Sequence, residues 1–187
     1  VPDGAGVQDF VEIGIDSETG RKVESLTVVD GHSRFYLGAF VTTSPTTDFV
    51  IECLDKVFAA HGVPPMVHSD HGSQWYAVRG GDSRFDAKCE EWGTKHTMAP
   101  IRTPECNGKT ERVHGSMRAE IKFPEKAAVE DCRALMESYV RHYNEIRPHC
   151  ALGYRTPKEV FEKTSALGIQ IPDIAGMIDE TFMASRS

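Results

Sequence analysis

A chain of 187 residues, 40% of them hydrophobic, has room for one domain with a sizeable core. It contains no apolar run of membrane-spanning length, and its amino end, VPDGAGVQDF, lacks the basic patch and apolar segment of a signal peptide, so no membrane role is expected. A formal net charge of −7 argues against a general nucleic-acid coat. Five widely spaced cysteines (Cys53, Cys89, Cys106, Cys132 and Cys150) with no C-x-x-C pair argue against a structural zinc site and for reduced thiols inside a cell.

In chain order, residues 7–13, VQDFVEI, alternate as a strand does, and a period of two puts Val7, Asp9, Val11 and Ile13 on one face. Two further strands are predicted at 22–30, KVESLTVVD, and 34–43, RFYLGAFVTT, with DGHS as the hairpin turn between them. Ser44-Pro45 reads as an N-cap followed by proline at the first helical position. Phe49, Val50, Cys53, Leu54, Val57 and Phe58 then form a helical stripe that stops at Gly62. A fourth strand is expected at 65–69, PMVHS, a helix at 84–93 closed by Gly93, and a fifth strand at 94–100. Helices follow at 108–123 and 130–146, the second strongly amphipathic and ended by Pro148, and a short one, KEVFEK, comes after Thr156-Pro157. Three strands in meander and then strand–helix alternation describe a mixed-sheet α/β protein.

Three acids stand out on this framework. Asp9 falls on the apolar face of its strand; it is either wet at a frayed strand start or a buried carboxylate that needs a partner or a metal. Asp70, in MVHSDHGSQW, sits just past a buried strand, where an Asp turn and a functional site are both at home. Glu111 lies one helical turn before His114 and shares a face with Arg118, seven residues on. Gly115 between them costs about 1 kcal/mol of helix propensity relative to Ala, which is easier to understand if something approaches the helix closely. Two strands and a helix thus offer three carboxylates, the hard oxygen donors that divalent cations such as Mg²⁺ take. Residues 95–126 carry seven Lys or Arg against four acids, a local +3 that either faces a polyanion or is a solvated helix surface.

HSDHGSQW, PECNGKTERVHGSMRAE and YNEIRPHCALGYRTP, in that order and preceded by LTVVDGHSRFYLGAF, resemble the signatures of retroviral-type integrase cores, and above all of the Asp-Asp-Glu transposases of prokaryotic insertion sequences. The resemblance covers about residues 7–160. It implies a ribonuclease-H-like α/β fold, a five-stranded mixed sheet with helices on both faces, with residues 1–160 as the catalytic core and 161–187 as a C-terminal extension. It implies that Asp9, Asp70 and Glu111 are the catalytic acids and hold two Mg²⁺ (or Mn²⁺) ions per active site. Asp30 is a rival first acid, but hairpin chemistry already accounts for it. Arg118 matches a basic position that approaches DNA, and Asn107 and Gly108 match a mobile loop before the catalytic helix. Lys109, Arg112 and Gln74 are further candidate DNA contacts.

The implied activity is metal-dependent DNA strand cleavage and strand transfer, with element ends and target DNA as partners, a homodimer or higher multimer as the working form, and a cytoplasmic, nucleoid-associated location if the host is prokaryotic. A nuclease on the same fold that only hydrolyses, and a non-catalytic DNA-binding or dimerisation module, are the alternatives. There are two departures from the family pattern. Forty residues separate Asp70 from Glu111, several more than is usual, and the surplus falls at 78–82. No helix-turn-helix or zinc-binding module precedes the core, which, with the missing initiator Met, is expected of an isolated catalytic core. His68 and His71 are expected in supporting or surface roles. Trp75 and Tyr76 could stack on a base, pack in the core or anchor a loop, and YNEIRPH could touch DNA through Arg147 and His149 or pin the last helix to the sheet.

Overall fold

The structure is a computed structural model and describes residues 5–70, 72, 75, 83–98 and 104–167. Its strands are β1 (Ala5–Asp16), β2 (Lys22–Asp30), β3 (Tyr36–Thr42), β4 (Met66–Ser69), β5 (Lys95–Met98) and β6 (Lys126–Ala127). The helices are α1 (Thr47–His61), α2 (Arg84–Trp92), α3 (Pro104–Glu120), α4 (Val129–Glu145) and α5 (Pro157–Leu167). The sheet order is β3-β2-β1-β4-β5, with β1, β2 and β3 antiparallel and β4 and β5 parallel to β1. The two-residue β6, which the sequence did not announce, pairs in parallel with the end of β1.

Each face of the sheet carries its own core. On one face Val11, Ile13, Val23, Val29, Tyr36 and Val41 meet Val113 and Met117 of α3 and Cys132, Met136, Tyr139 and Tyr143 of α4. On the other, Leu26, Val28, Leu37 and Val67 meet Val50, Cys53, Leu54, Val57 and Phe58 of α1, Phe85 and Cys89 of α2, and Trp75. The pleat alone would point Tyr36 away from the α4 core. A register shift between Val28 and Val29 sets Val29 opposite Tyr36 and leaves Leu37 unpaired, which turns Tyr36 into that core.

Several expected boundaries move, each for a local reason. Helix α1 is capped by Thr46, whose Oγ1 accepts the Phe49 N–H at 3.2 Å, so Ser44 and Pro45 lie outside it. Helix α3 begins at Pro104, so Asn107 and Gly108 belong to the helix and not to a loop before it; proline at the first position suits that start. It ends at Glu120, short of the expected 123, because Pro124 disfavours helical backbone at Phe123. The released Ile121 and Phe123 pack against the α3–α4 core. Helix α2 matches expectation: Ser83 caps it and Gly93 closes it in the left-handed conformation (φ 73°). Strand β1 runs further than expected, through a register shift at Gly14, where a Cβ would stand 3.2 Å from the Pro124 carbonyl as the chain enters β6.

The YNEIRPH segment pins α4 to the sheet. Asn144 Oδ1 accepts the Tyr36 N–H at 2.9 Å and its Nδ2 donates to the Tyr36 carbonyl at 3.0 Å, so a side-chain amide completes the end of β3. Arg147 binds Glu120 of α3 at 2.6 Å and lies over the Tyr143 ring. Helix α5 crosses position 160, and its Phe161 stacks on Phe35 at 4.6 Å. Among the described residues no helix is long and apolar enough to cross a membrane. Asn144→Ala leaves the Tyr36 N–H and C=O unpaired in the interior and is expected to cost about 2–3 kcal/mol, read as a lower urea midpoint with unchanged slope. Parental stability in that variant would show that the amide is dispensable.

Candidate active site

The β1–β4 ladder places the first two acids. Gln8 pairs with Ser69 across these parallel strands, so the next step of the register sets Asp9 beside Asp70. The charge of Asp70 reaches the Asp9 carboxyl. Burial raises the Asp9 carboxyl to about 7, the charge of Asp70 pushes in the same direction, and the Phe10 N–H and Arg118 oppose the rise. Asp9 therefore lies within β1 and not at a frayed start, partly buried with its side chain 28% exposed.

Asp70 is held from behind. Its Oδ1 accepts the Gly72 N–H at 3.0 Å and the indole N–H of Trp75 at 2.5 Å. Trp75 is fully buried against Phe10 and Phe85, which removes it as a base-stacking residue and makes it a loop anchor. One residue back, Ser69 Oγ lies 2.8 Å from His96 Nε2, and His96 Nδ1 contacts Asp86 of α2. These are the members of a nucleophile triad, but Ser69 is only 2% exposed and lies in a strand, so the chain braces the tip of β4 against α2. His68 is half-buried and bonded to Thr97 Oγ1 at 2.6 Å, in a supporting position.

Helix α3 closes the other side. His114 is buried, with Nε2 2.9 Å from Thr27 Oγ1 and Nδ1 3.6 Å from Asp9 Oδ2. Thr27, which faces Asp9 in the β1–β2 register, donates its hydroxyl to the Asp9 carbonyl at 3.1 Å. With that hydrogen committed, Nε2 carries the imidazole proton and Nδ1 turns its lone pair towards the Asp9 carboxyl. Burial, aided by Arg118, lowers His114 to about 4, so at neutral pH it is a neutral dipole and the pair is no salt bridge. Thr27 and His114 were not singled out as site residues from sequence; the pleat of β2 and the one-turn spacing from Glu111 were the signals.

The expected site residues divide as follows. The β1–β4 register brings Asp9 and Asp70 side by side. Glu111 is exposed on α3 and has no described contact with the pair; among the described residues no group of three His, Cys, Asp or Glu is close enough to form a metal cage. Arg118 is exposed, and its charge acts on both Asp9 and His114. Arg112 is exposed. Asn107 and Lys109 lie in the first turns of α3, and their side chains are outside the described residues, as are Gln74, His71, Tyr76 and the 78–82 insertion. Asp30, the rival first acid, is buried in its hairpin, with Oδ2 accepting the Ser33 N–H at 2.8 Å and the Ser33 hydroxyl at 2.6 Å. Gly115 is exposed, and a Cβ there would meet nothing within 4 Å, so no packing within the protein calls for glycine at this position.

Two family models, both described as integrase core domain, match residues 2–104 and 92–157. The chain belongs to the integrase core domain family. A 39.2 kDa uncharacterized protein of insertion element IS476 from Xanthomonas euvesicatoria is 26% identical to this integrase core domain over 160 residues, covering 85% of this chain and 44% of that protein. Transposase InsD of the Escherichia coli insertion element IS2 is 30% identical over 103 residues, 54% of this chain and 32% of that one. The chain spans about half the length of the first curated relatives it matches. Among solved structures, the catalytic core domain of BIV integrase aligns with a TM-score of 0.61 at 19% identity, over 88% of this chain and 98% of that one. The HTLV-2 integrase catalytic core domain in complex with magnesium aligns with a TM-score of 0.61 at 14% identity, over 86% and 97%. The fold is the ribonuclease-H-like α/β fold of retroviral integrase cores.

A hard divalent cation fits what the integrase core domain presents here. Two carboxylates converge, and one of them is pushed up in pKa by burial and by its neighbour, so the site lacks positive charge. Asp9 titrates near 7 when folded and near 3.8 when unfolded, so its contribution is fully present below about pH 4 and is lost as pH rises through 7. In EDTA, stability is expected to fall from about pH 5 to about pH 8, with Asp9 contributing on the order of 3 kcal/mol. Asp9→Asn should remove that share and be the more stable protein at the upper pH in urea titrations. An unchanged pH slope in the variant would overturn the assignment.

Proposed function

We propose that this chain is the catalytic core of a DNA transposase or integrase, a metal-dependent polynucleotidyl transferase that cleaves and joins DNA strands. The observation that carries the reading is the Asp9–Asp70 pair, two carboxylates set side by side where the parallel β1–β4 ladder stops, in a chain of the integrase core domain family. Glu111 is the third acid, on the helix whose His114 lies at Asp9. Two Mg²⁺ or Mn²⁺ ions held by Asp9, Asp70 and Glu111 would supply Lewis-acid chemistry, activating the attacking hydroxyl and stabilising the leaving oxygen. The magnesium in the related HTLV-2 core supports that choice of ion.

The substrates are the ends of the mobile element and a target duplex. Water opens a phosphodiester and leaves a 3′-hydroxyl; that hydroxyl then attacks a target phosphodiester in line, one P–O bond forming as another breaks, with the leaving 3′-oxygen taking up a proton. The chain's own residues bind and orient. Arg118, whose charge reaches Asp9, and Arg112 are exposed cations on α3, and Lys109, Asn107 and Gln74 complete the proposed DNA contacts. The open space over Gly115, between Glu111 and Arg118 on the helix surface, leaves room for a phosphate backbone. A multimer is the working form, in keeping with the dimeric and trimeric forms of the HTLV-2 core. The core takes in residues 1–160, with 161–187 as an extension and, in a prokaryotic host, a cytoplasmic, nucleoid-associated site of action.

Glu111→Gln should lower Mg²⁺- and Mn²⁺-dependent cleavage and joining of labelled element ends by more than ~10²-fold with the fold intact, measured in the full-length protein or on a pre-cut end. Near-normal joining in that variant, with Glu105→Gln inactive, would move the third acid; cleavage without joining in the parent would reduce the activity to hydrolysis. Arg118→Ala should weaken DNA binding and lower the salt slope by about one unit, with the thermal midpoint nearly unchanged. A large loss of stability at undiminished affinity would make Arg118 structural.

A further inference from the structure

Asp70 has an unusual partner for a carboxylate at a strand tip. Its Oδ1 takes two donors, the Gly72 backbone N–H at 3.0 Å and the Trp75 indole N–H at 2.5 Å. The indole cannot move away without disturbing the core. Its ring is fully buried, tilted against Phe10 at 6.2 Å and edge-on to Phe85 at 5.0 Å. Its backbone is tied on both sides, with the N–H donating to the Gly72 carbonyl at 3.1 Å and the carbonyl accepting the Ser83 hydroxyl at 2.8 Å. Ser83 in turn caps α2, so the position of the ring is set by the helix as well as by the loop.

An indole N–H is a donor only and does not ionise at working pH, so the bond it makes has one polarity. A hydrogen bond to an ionised acceptor is short and about twice as strong as a neutral one. Among the described residues both donors to Asp70 fall on Oδ1 and none on Oδ2. We propose that Trp75 is a positioning residue: its indole N–H fixes the rotation of the Asp70 carboxylate, keeping Oδ2 available as a ligand oxygen. The proposal rests on the metal-binding reading given above. It differs from a core-packing role in one respect that can be measured, since packing needs the ring and positioning needs the N–H.

The test separates ring from N–H in this chain carrying Trp92→Phe, which leaves Trp75 as the sole tryptophan. Replacing Trp75 biosynthetically by its benzothienyl analogue keeps the shape and puts sulfur where the N–H was. Manganese binding, followed by the electron paramagnetic resonance of free Mn²⁺, is expected to weaken about 10–100-fold, the range for loss of a group that orients a metal ligand, with the thermal midpoint within a few degrees of the parent. Affinity within about twofold of the parent would overturn the proposal. A second readout needs no metal. In ¹⁵N-labelled protein the indole proton should resonate far downfield, and Asp70→Ala should move it back; a resonance that Asp70→Ala leaves unmoved shows that the bond is absent, whatever the analogue does. If the parent itself takes up no Mn²⁺, or if Asp9→Asn leaves its uptake unchanged, the metal-binding reading fails and the positioning role fails with it, while the resonance still reports whether the bond exists.

Discussion

Asp9 and Asp70 leave the parallel β1–β4 ladder side by side, and two partly buried negative charges so close repel each other. Much of the surrounding architecture answers that repulsion. The Asp9 carboxyl is raised to about 7, which keeps a proton within reach of the pair in the absence of a cation. Arg118 counters the charge from the solvent side of α3, and the Gly72 and Trp75 N–H groups counter it at Asp70 from within the core. On the proposed reading a cation does the same more completely, so the strain of assembling the acids is relieved by the group that the chemistry requires.

The parts that hold this arrangement are rigid for ordinary reasons. Strand β4 is only four residues long, yet its end is braced by the Ser69–His96–Asp86 chain to α2 and by the Trp75 anchor. Helix α3 is fixed by Val113 and Met117 in the core, by His114 against Thr27, and by Glu120 to Arg147 at its end. Strong restraint next to a reacting group is what preorganised catalysis needs, because positional error there is costly in rate. In the described part of α3, Glu111, Gly115 and Arg118 stay exposed, on the side proposed to meet substrate.

Sequence reasoning reached the sheet and the helices because those follow from short-range periods, whereas the pairing of Asp9 with Asp70 came from the resemblance to integrase cores. A period of two put Asp9 with Val11 and Ile13, and the apolar run at 65–69 ended where Asp70 had to stand. It failed where a single residue changes the register. The shift beside Val28 and Val29 turns Tyr36 to the opposite face, and no local pattern announces it. The start of α3 was placed four residues late because Asn107 and Gly108 read as loop formers, while Pro104 supplied a better start. Trp75 was read by its ring alone; its N–H became meaningful only once the fold had placed it 2.5 Å from a carboxylate. Thr27 and His114 lie 87 residues apart, and partners at that separation are set by topology.

The same topology resolves the tension between an acidic chain and a polyanionic substrate. The net charge of −7 is spread over the whole sequence, whereas residues 95–126, the segment that contains α3, carry +3. Within that helix Glu120 is already neutralised by Arg147, an arginine from outside the strip, so the exposed Arg112, Arg118 and Lys122 dominate the surface more than a residue count suggests. Charges at the surface act over about one Debye length, roughly 8–10 Å at moderate salt, so a phosphate arriving at α3 responds to these cations before it responds to acids elsewhere on the molecule. Asp9, which the charge of Arg118 reaches, and Asp70 beside it would repel the same phosphate when metal-free. On the proposed reading, DNA affinity and cation binding are therefore linked: each positive charge placed between Asp9, Asp70 and the phosphate favours both, and Arg118, whose charge already reaches Asp9, is the fixed part of that bridge.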